Sequence, residues 1–340
     1  MVESKLMPTD APLTEGQPTA FACARAPLRI SLAGGGTDIP SFYRQAGGKV
    51  IALSINRYTI TTVQVTNDDT TKYWDHLDSN GIALTDAARN QLHIADNVSV
   101  SVLSDVPPGV GLGGSGAFAV SLLAALGMRA DTFEARIQLG MEASGLEIDH
   151  LRRPVGHQDH LVSAVGGVIS MTFDTQGRVA VEQLPMNDSF VEFVQDRLLL
   201  FRWSGARRDA ATALAQQAAR AESNEGRTMT ALNEMRSMAY RLHDELLAGN
   251  LESIGSTLAL AWSTKRSLAP EGSYDKLDLV HEAARAAGAR GVRLVGAGGS
   301  GYILVEVPSV LSGNSVREAM ARLSLPELTF GLEDQGVVRL

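Results

Sequence analysis

Residues 97–126 read NVSVSVLSDVPPGVGLGGSGAFAVSLLAAL and change character twice. The first part alternates apolar and polar residues, the period of a half-buried strand. Two prolines and a glycine-rich stretch then break the pattern. From residue 116 on, the run is apolar and rich in alanine and leucine, which predicts a helix opening directly from the loop. Strand, glycine loop and helix in this order aim several backbone N–H groups, and the positive end of a helix, at one spot. Phosphate is the natural ligand of such a place. Ser115 stands at the helix start. In the plainer reading it is only a cap and the glycines only a turn.

The loop contains no G-x-x-x-x-G-K-[ST], so it is not a Walker loop. Residues 111–116, GLGGSG, satisfy the dinucleotide fingerprint G-x-G-x-x-G, and so do residues 296–301, GAGGSG. The second match runs into YILVEV, a strand where the fingerprint needs a helix. The first follows two prolines and no regular strand–helix alternation. Both are set aside as dinucleotide sites.

Working outward, FACARAPLRISLAGGG (21–36) predicts a strand ending in a glycine turn, and KVIALSINRYTITTVQVT (49–66) one or two strands. A short helix is expected near 86–92, a second helix over 131–149, a short one around 155–167, and a hairpin from 167 to 184. The texture changes near 185–195. A strand at 196–205 precedes helical patterns over 206–223, 228–248, 251–267 and 273–287. A strand–glycine turn–strand follows at 291–307, then a helix over 316–323 and a last strand at 336–340. These elements divide into a polar tail (1–20), a first half (21–190) and a second half (191–340).

The 340 residues are 44% hydrophobic and 20% charged, ordinary for a globular chain, with a net charge of −8. That balance argues against nucleic acid or an anionic membrane as partner. A single cysteine, Cys23, excludes an intrachain disulfide and a cysteine zinc site, and fits a reducing cytoplasm. The first twenty residues lack the apolar core of a signal peptide, and no run is long and apolar enough to span a bilayer.

Four segments in order resemble the GHMP kinases, the family of galactokinase, homoserine kinase and mevalonate kinase. They are RAPLRISLAGGGTD (25–38), PPGVGLGGSGA (107–117), VGHQDHLVSAVGG (155–167) and RLVGAGGSGYI (293–303). The resemblance implies an α+β fold of two domains, the N-terminal one like a ribosomal-protein α/β unit and the C-terminal one ferredoxin-like. It implies ATP and Mg²⁺ as cofactors and a small sugar phosphate as substrate; monomer and homodimer both stay open. The phrases PLRISLAGGGTD, G-x-Q-D and LAWSTKRSLAPEGS are similar to the branch acting on D-glycero-D-manno-heptose 7-phosphate. The implied reaction phosphorylates the anomeric hydroxyl, supplying nucleotide-activated heptose for surface polysaccharide. A fucose-type sugar-1-kinase is the alternative within the family, and a non-catalytic sugar- or nucleotide-binding regulator the alternative outside it.

The resemblance assigns roles residue by residue. Asp159 becomes the catalytic carboxylate and Arg29, where relatives carry lysine, a stabiliser of charge at the transferred phosphoryl. Asp159 also reads as a helix-start aspartate, and Arg29 as a strand-edge arginine. ATP falls to Pro108, Gly109, Gly111, Leu112, Gly113, Gly114, Ser115 and Gly116; Gly114 and Gly116 replace the serine and alanine common in relatives. Mg²⁺ falls to Ser115 and Glu147, with Glu142 as fallback, and either glutamate could instead be a solvated helix face. The acceptor falls to Gly35, Gly36, Thr37, Asp38, Gly298, Gly299 and Ser300, although Thr37-Asp38 is also good turn chemistry. Arg207, Arg208, Lys265 and Arg266 are candidate partners of a substrate phosphate, each also readable as a surface charge. His157 and His160 flank Asp159 as supporting groups, and Trp74, Trp203 and Trp262 read as core or pocket lining.

Overall fold

The β-branched run after Gly48 forms one long strand. The computed structural model describes residues 21–65, 74–75, 77–94, 98–203, 215, 218–221, 225–268, 274–296 and 301–340. In it β1 (Phe21–Ala33) and β2 (Gly48–Val65) pair antiparallel along nearly their whole length. The other edge of β2 is shared: residues 48–53 pair with β5 (Val168–Phe173) and residues 59–65 with β4 (Val98–Ser104). β6 (Val179–Gln183), the short β3 (Trp74–Asp75) and β10 (Val338–Arg339) complete a seven-stranded sheet. Residues 26–33 of β1 and 48–55 of β2 are buried without alternation, as strands covered on both faces are.

α1 (Pro40–Ala46) and α2 (Ser79–Gln91) precede β2 and β4. α3 (Gly114–Ala125) follows the glycine loop, and every residue from Gly116 to Ala125 is buried. A helix apolar on all sides has to be interior, and its small residues let it pack on β1 and β2. Thr61 and Ser121 bond through their hydroxyls at 2.6 Å, fastening α3 to β2. α4 (Phe133–Gly145) and α5 (Gln158–Val165) pack beside it.

After α6 (Asp188–Arg197) comes a three-stranded antiparallel sheet, β7 (Leu198–Trp203), β9 (Gly301–Glu306) and β8 (Gly291–Leu294) in that order. The two-residue period divides its side chains. Leu199, Phe201, Ile303 and Val305 form one core with Trp262, α9 (Asp275–Ala286) and α10 (Val310–Arg322); Leu198, Leu200, Tyr302 and Leu304 join the main core. α7 (Gly226–Leu247) and α8 (Ser253–Ser267) pack on β1, and α7 also on β2, so the two sheets share a boundary. The fold is α+β. Among the described residues no helix is long and apolar enough to cross a membrane.

Four elements depart from the sequence reading. α2 begins well before residue 86, because Asp78 caps it by accepting from the Gly81 N–H at 2.8 Å. α6 was absent from that reading; Asn187 caps it from outside, and its buried Phe190, Phe193 and Val194 leave an apolar stripe too short to stand out. α10 starts at Val310, capped by Ser309. The chain end, placed with the second half, returns to the first sheet: Leu332 bridges to Ile55, Val337 is buried, and β10 pairs with β1. The tail 1–20, most of the pattern at 206–223 and the turn at 297–300 lie outside the described residues.

Candidate active site

The glycine loop lies against both halves of the chain. Arg29 donates its backbone N–H to Leu112 O at 3.0 Å, tying the loop to β1. Gly113 caps α3 in the left-handed region (φ +77°), and a Cβ there would lie 2.9 Å from Arg29 Cγ. Glycine alone fits both demands. The Gly114, Ser115 and Gly116 N–H groups precede the first intrahelical acceptor bond, Ala117 N–H to Gly113 O at 2.9 Å, so they stay open to an anion. Pro108, Gly109 and Ser115 are exposed, and Leu112 is buried beneath.

Asp159 sits in the first turn of α5, held against this loop. Arg29 Nε donates to Asp159 Oδ1 at 2.8 Å, and Nη2 lies 2.6 Å from the same oxygen. Arg29 Nη1 donates to Gly111 O at 2.6 Å. The arginine is 4% exposed, and its guanidinium thus joins the carboxylate to the glycine loop. Gly116 is explained by contact: a Cβ there would lie 2.7 Å from Asp159 Cβ.

Ser115 Oγ donates to Glu147 Oε1, so the two residues that the sequence names for a metal are in contact. A π-helical turn, Leu146–His150, follows α4 and carries Glu147. Such insertions re-aim side chains, and here Glu147 is 1% exposed. Burial pushes its carboxyl up, but His160, Ser115 and Arg153 outweigh burial and bring it down to about 2. Arg153 Nη1 donates to the same oxygen at 2.8 Å. An ionised carboxylate beside a hydroxyl is the oxygen donor set that Mg²⁺ takes, so these residues fit the ion. Glu142, the fallback, is occupied with Gln91 and Gln138 at 2.6 and 2.7 Å.

Most of the described residues that the resemblance assigns to the acceptor gather around Asp38. Its buried carboxylate accepts from Gly36 N–H at 3.2 Å and from Gln158 N–H, at the start of α5, at 3.0 Å. Burial raises its pKa, with Asp159 adding to the rise and the N–H donors opposing it. Beside it, Ser31 Oγ and Gln158 Oε1 are buried without a hydrogen-bond partner among the described residues. A Cβ on Gly35 would lie 3.2 Å from Ser31 Oγ and 3.8 Å from Gln158 Nε2, so both side chains converge on that glycine. Unpaired buried polar atoms are costly, and sugar hydroxyls would satisfy them. Neither residue was among those the sequence singled out; the G-x-Q-D phrase was the one available signal for Gln158. Thr37 differs from its neighbours. It is fully buried, and its hydroxyl engages Gly34 O, Lys49 O and Lys49 N–H, so it holds the loop and offers nothing to a ligand.

The histidines separate into two roles. His157 is bonded on both ring nitrogens, to Ser144 Oγ at 2.8 Å and Tyr43 OH at 3.2 Å, and burial with His160 and Arg44 pushes it down to about 4. It anchors the start of α5 as a neutral ring. His160 Nε2 stands 3.5 Å from Glu147 Oε2, and neither ring nitrogen has a hydrogen-bond partner among the described residues. Trp262 lies in the second core, edge-on to Tyr274 at 5.0 Å, and Trp203 packs against that core. The side chain of Trp74, together with Arg207, Arg208, Gly298, Gly299 and Ser300, lies outside the described residues. Arg266 is 58% exposed and paired with Asp278. Lys265 is half-buried and donates to Gly296 O, next to Gly111 across the boundary between the halves.

An open helix start, a carboxylate–guanidinium pair and two buried polar atoms without partners among the described residues thus lie close together. Residues 82–167 match the GHMP kinases N terminal domain. The D-glycero-alpha-D-manno-heptose 7-phosphate kinase of Campylobacter jejuni is 23% identical over 86% of this chain and 91% of its own. Mevalonate kinase of Methanothermobacter thermautotrophicus is 27% identical over 64% and 66%. Among solved structures, a D-glycero-D-manno-heptose 1-phosphate kinase from Bacteroides thetaiotaomicron superposes with a TM-score of 0.73 over 94% of this chain and 98% of its own, at 22% identity. Residues 82–167 thus match a GHMP kinase domain, and the chain is similar over most of its length to kinases of that kind, phosphotransferases with an alcohol group as acceptor.

Proposed function

We propose that the chain transfers the γ-phosphate of ATP to the anomeric hydroxyl of D-glycero-D-manno-heptose 7-phosphate, giving the 1,7-bisphosphate and ADP. The observation that carries the reading is the Arg29–Asp159 pair bonded to the phosphate loop through Gly111 O. The Campylobacter relative's substrate supports the choice of sugar. A product of this kind would feed nucleotide-activated heptose, and the use of ATP suits the cytoplasm.

The open N–H groups at Gly114, Ser115 and Gly116 receive the nucleotide's phosphates. Gly36, Asp38, Gln158 and Ser31 orient the sugar so that its anomeric oxygen faces Asp159. That oxygen bonds to the γ-phosphorus, the bond from phosphorus to the β,γ-bridging oxygen breaks, and the hydroxyl proton passes to the Asp159 carboxylate. Arg29 holds Asp159 in place and offsets the negative charge that spreads over the transferred phosphoryl. Ser115 and Glu147 would hold Mg²⁺, which neutralises phosphate charge when bound.

Asp159→Asn tests this assignment. It keeps the size of the side chain and removes the proton acceptor, so kcat should fall by roughly 10²–10⁴-fold while the KM for ATP changes little. Initial rates of ADP release measure both. Near-normal turnover would remove Asp159 from the chemistry.

A further inference from the structure

Three cations meet where the two halves touch, and among the described residues one carboxylate serves them. Asp159 is taken by Arg29. Arg293, on β8 and 6% exposed, donates to the backbone carbonyls of Ser31 at 2.8 Å and Leu32 at 3.3 Å. Lys265, in the last turn of α8, donates to the Gly296 carbonyl. Neither has a carboxylate partner among the described residues. Burial, then Arg293, then Arg29 push the Lys265 ammonium down to about 7; burial and then Arg29 push Arg293 down to about 10. Carbonyl dipoles alone are poor compensation for a buried guanidinium and a half-buried ammonium. The position is also functional: Lys265 holds Gly296, Gly296 abuts Gly111, and Gly111 accepts from Arg29. Arg293 holds the backbone of Ser31, whose hydroxyl is one of the unsatisfied acceptor-side atoms.

We propose that Lys265, with Arg293 behind it, binds a phosphate group carried by a ligand of the active site. Two carriers share that chemistry: the acceptor sugar's own phosphate, and the terminal phosphate of the nucleotide. The acceptor carrier rests on the substrate reading above; the nucleotide carrier does not. The ammonium is the movable partner, a point charge on a flexible stem, and the guanidinium is the fixed one. The anion would complete a cluster that the protein leaves positive.

The test is calorimetric titration of the full chain and its Lys265→Met variant with four probes: D-glycero-D-manno-heptose 7-phosphate, the unphosphorylated heptose, a non-hydrolysable ATP analogue with Mg²⁺, and ADP with Mg²⁺. Loss of about tenfold or more in affinity is expected for a phosphate-bearing probe, as for a charge-assisted bond, with the unphosphorylated heptose unchanged. Loss confined to the heptose 7-phosphate assigns the acceptor's phosphate. Loss for the ATP analogue but not for ADP assigns the transferred phosphoryl. Lys265→Arg, which keeps the charge, should restore part of the loss. Equal affinities for all four probes in wild type and Lys265→Met overturn the proposal. So does a lowered melting temperature with parallel loss of every probe, which marks a structural lysine. If wild type fails to bind the heptose 7-phosphate, the substrate reading falls, and the two nucleotide probes with an inorganic phosphate titration still decide the role of Lys265.

Discussion

Two buried charge clusters in this chain are built on opposite plans. In the second half, Arg197 and Arg290 both reach Glu306 Oε1 at 2.7 Å, and both also pair with Glu252. Glu306 is fully buried, and the cluster holds two arginines against two glutamates. At the boundary between the halves, Arg29 pairs with Asp159, while Arg293 and Lys265 have only backbone carbonyls as partners among the described residues. The first cluster is complete without help and ties α6, α8 and β9 together. The second keeps a surplus of positive charge beside the glycine loop. Each cluster combines a buried group with more exposed ones; the difference is whether the protein supplies the counter-charge.

The largest expected effect on stability lies in the closed cluster. Burial raises the Glu306 carboxyl to about 7 against the opposing pull of Arg197; Glu306→Gln removes the acceptor shared by two partly exposed arginines that keep Glu252, and should cost about 1–3 kcal/mol. Chemical denaturation should show that loss, while kcat, read on the folded protein, should hold. A fall in kcat with unchanged stability would erase the distinction between the clusters. The acceptor pocket should show the reverse pattern. Gln158→Met removes an unsatisfied buried amide oxygen, so the acceptor KM should rise about tenfold, the order of one lost hydrogen bond in a binding site, with the ATP KM and the melting temperature held. A rise in both KM values would return Gln158 to a purely structural place.

The effect read through pH sharpens the open cluster. Lys265 ionises near 7 in the folded chain and near 10.5 when unfolded. Between these values the unfolded chain binds more protons, so stability rises with pH across that window. Below about 7 the lysine is charged in both states and its destabilising contribution is fully present. Ligand-free wild type should therefore gain stability relative to Lys265→Met as pH rises from 7 toward 10. Parallel pH profiles would mean that the ammonium is not strained in the folded state.

What the sequence disclosed was whatever local pattern can encode. The strand, the glycine loop and the all-apolar α3 lie within one stretch of chain, and their periods announce them. Arg29, Ser115 and Asp159 could be named because motifs carry them, and Glu147 by its separation from Asp159; the structure brings Arg29 to Asp159 and Ser115 to Glu147. The rest depends on distant parts meeting. Arg293 matters because it crosses to the carbonyls of Ser31 and Leu32, and no spacing predicts that. Ser31 is an ordinary strand serine until Gly35 and Gln158 close around it. The π-helical turn that delivers Glu147 leaves no distinct signature in LEIDH. The return of residues 331–340 to β1 was hidden because Val337 and Val338 could have joined any nearby edge.

Incubation of the protein with ATP, Mg²⁺ and D-glycero-D-manno-heptose 7-phosphate, with free fucose and mannose in parallel, followed by phosphorus NMR, tests the central claim most directly. A new anomeric phosphate signal with the heptose phosphate alone is the predicted result. A signal with a free sugar, or none with the heptose phosphate, would contradict it.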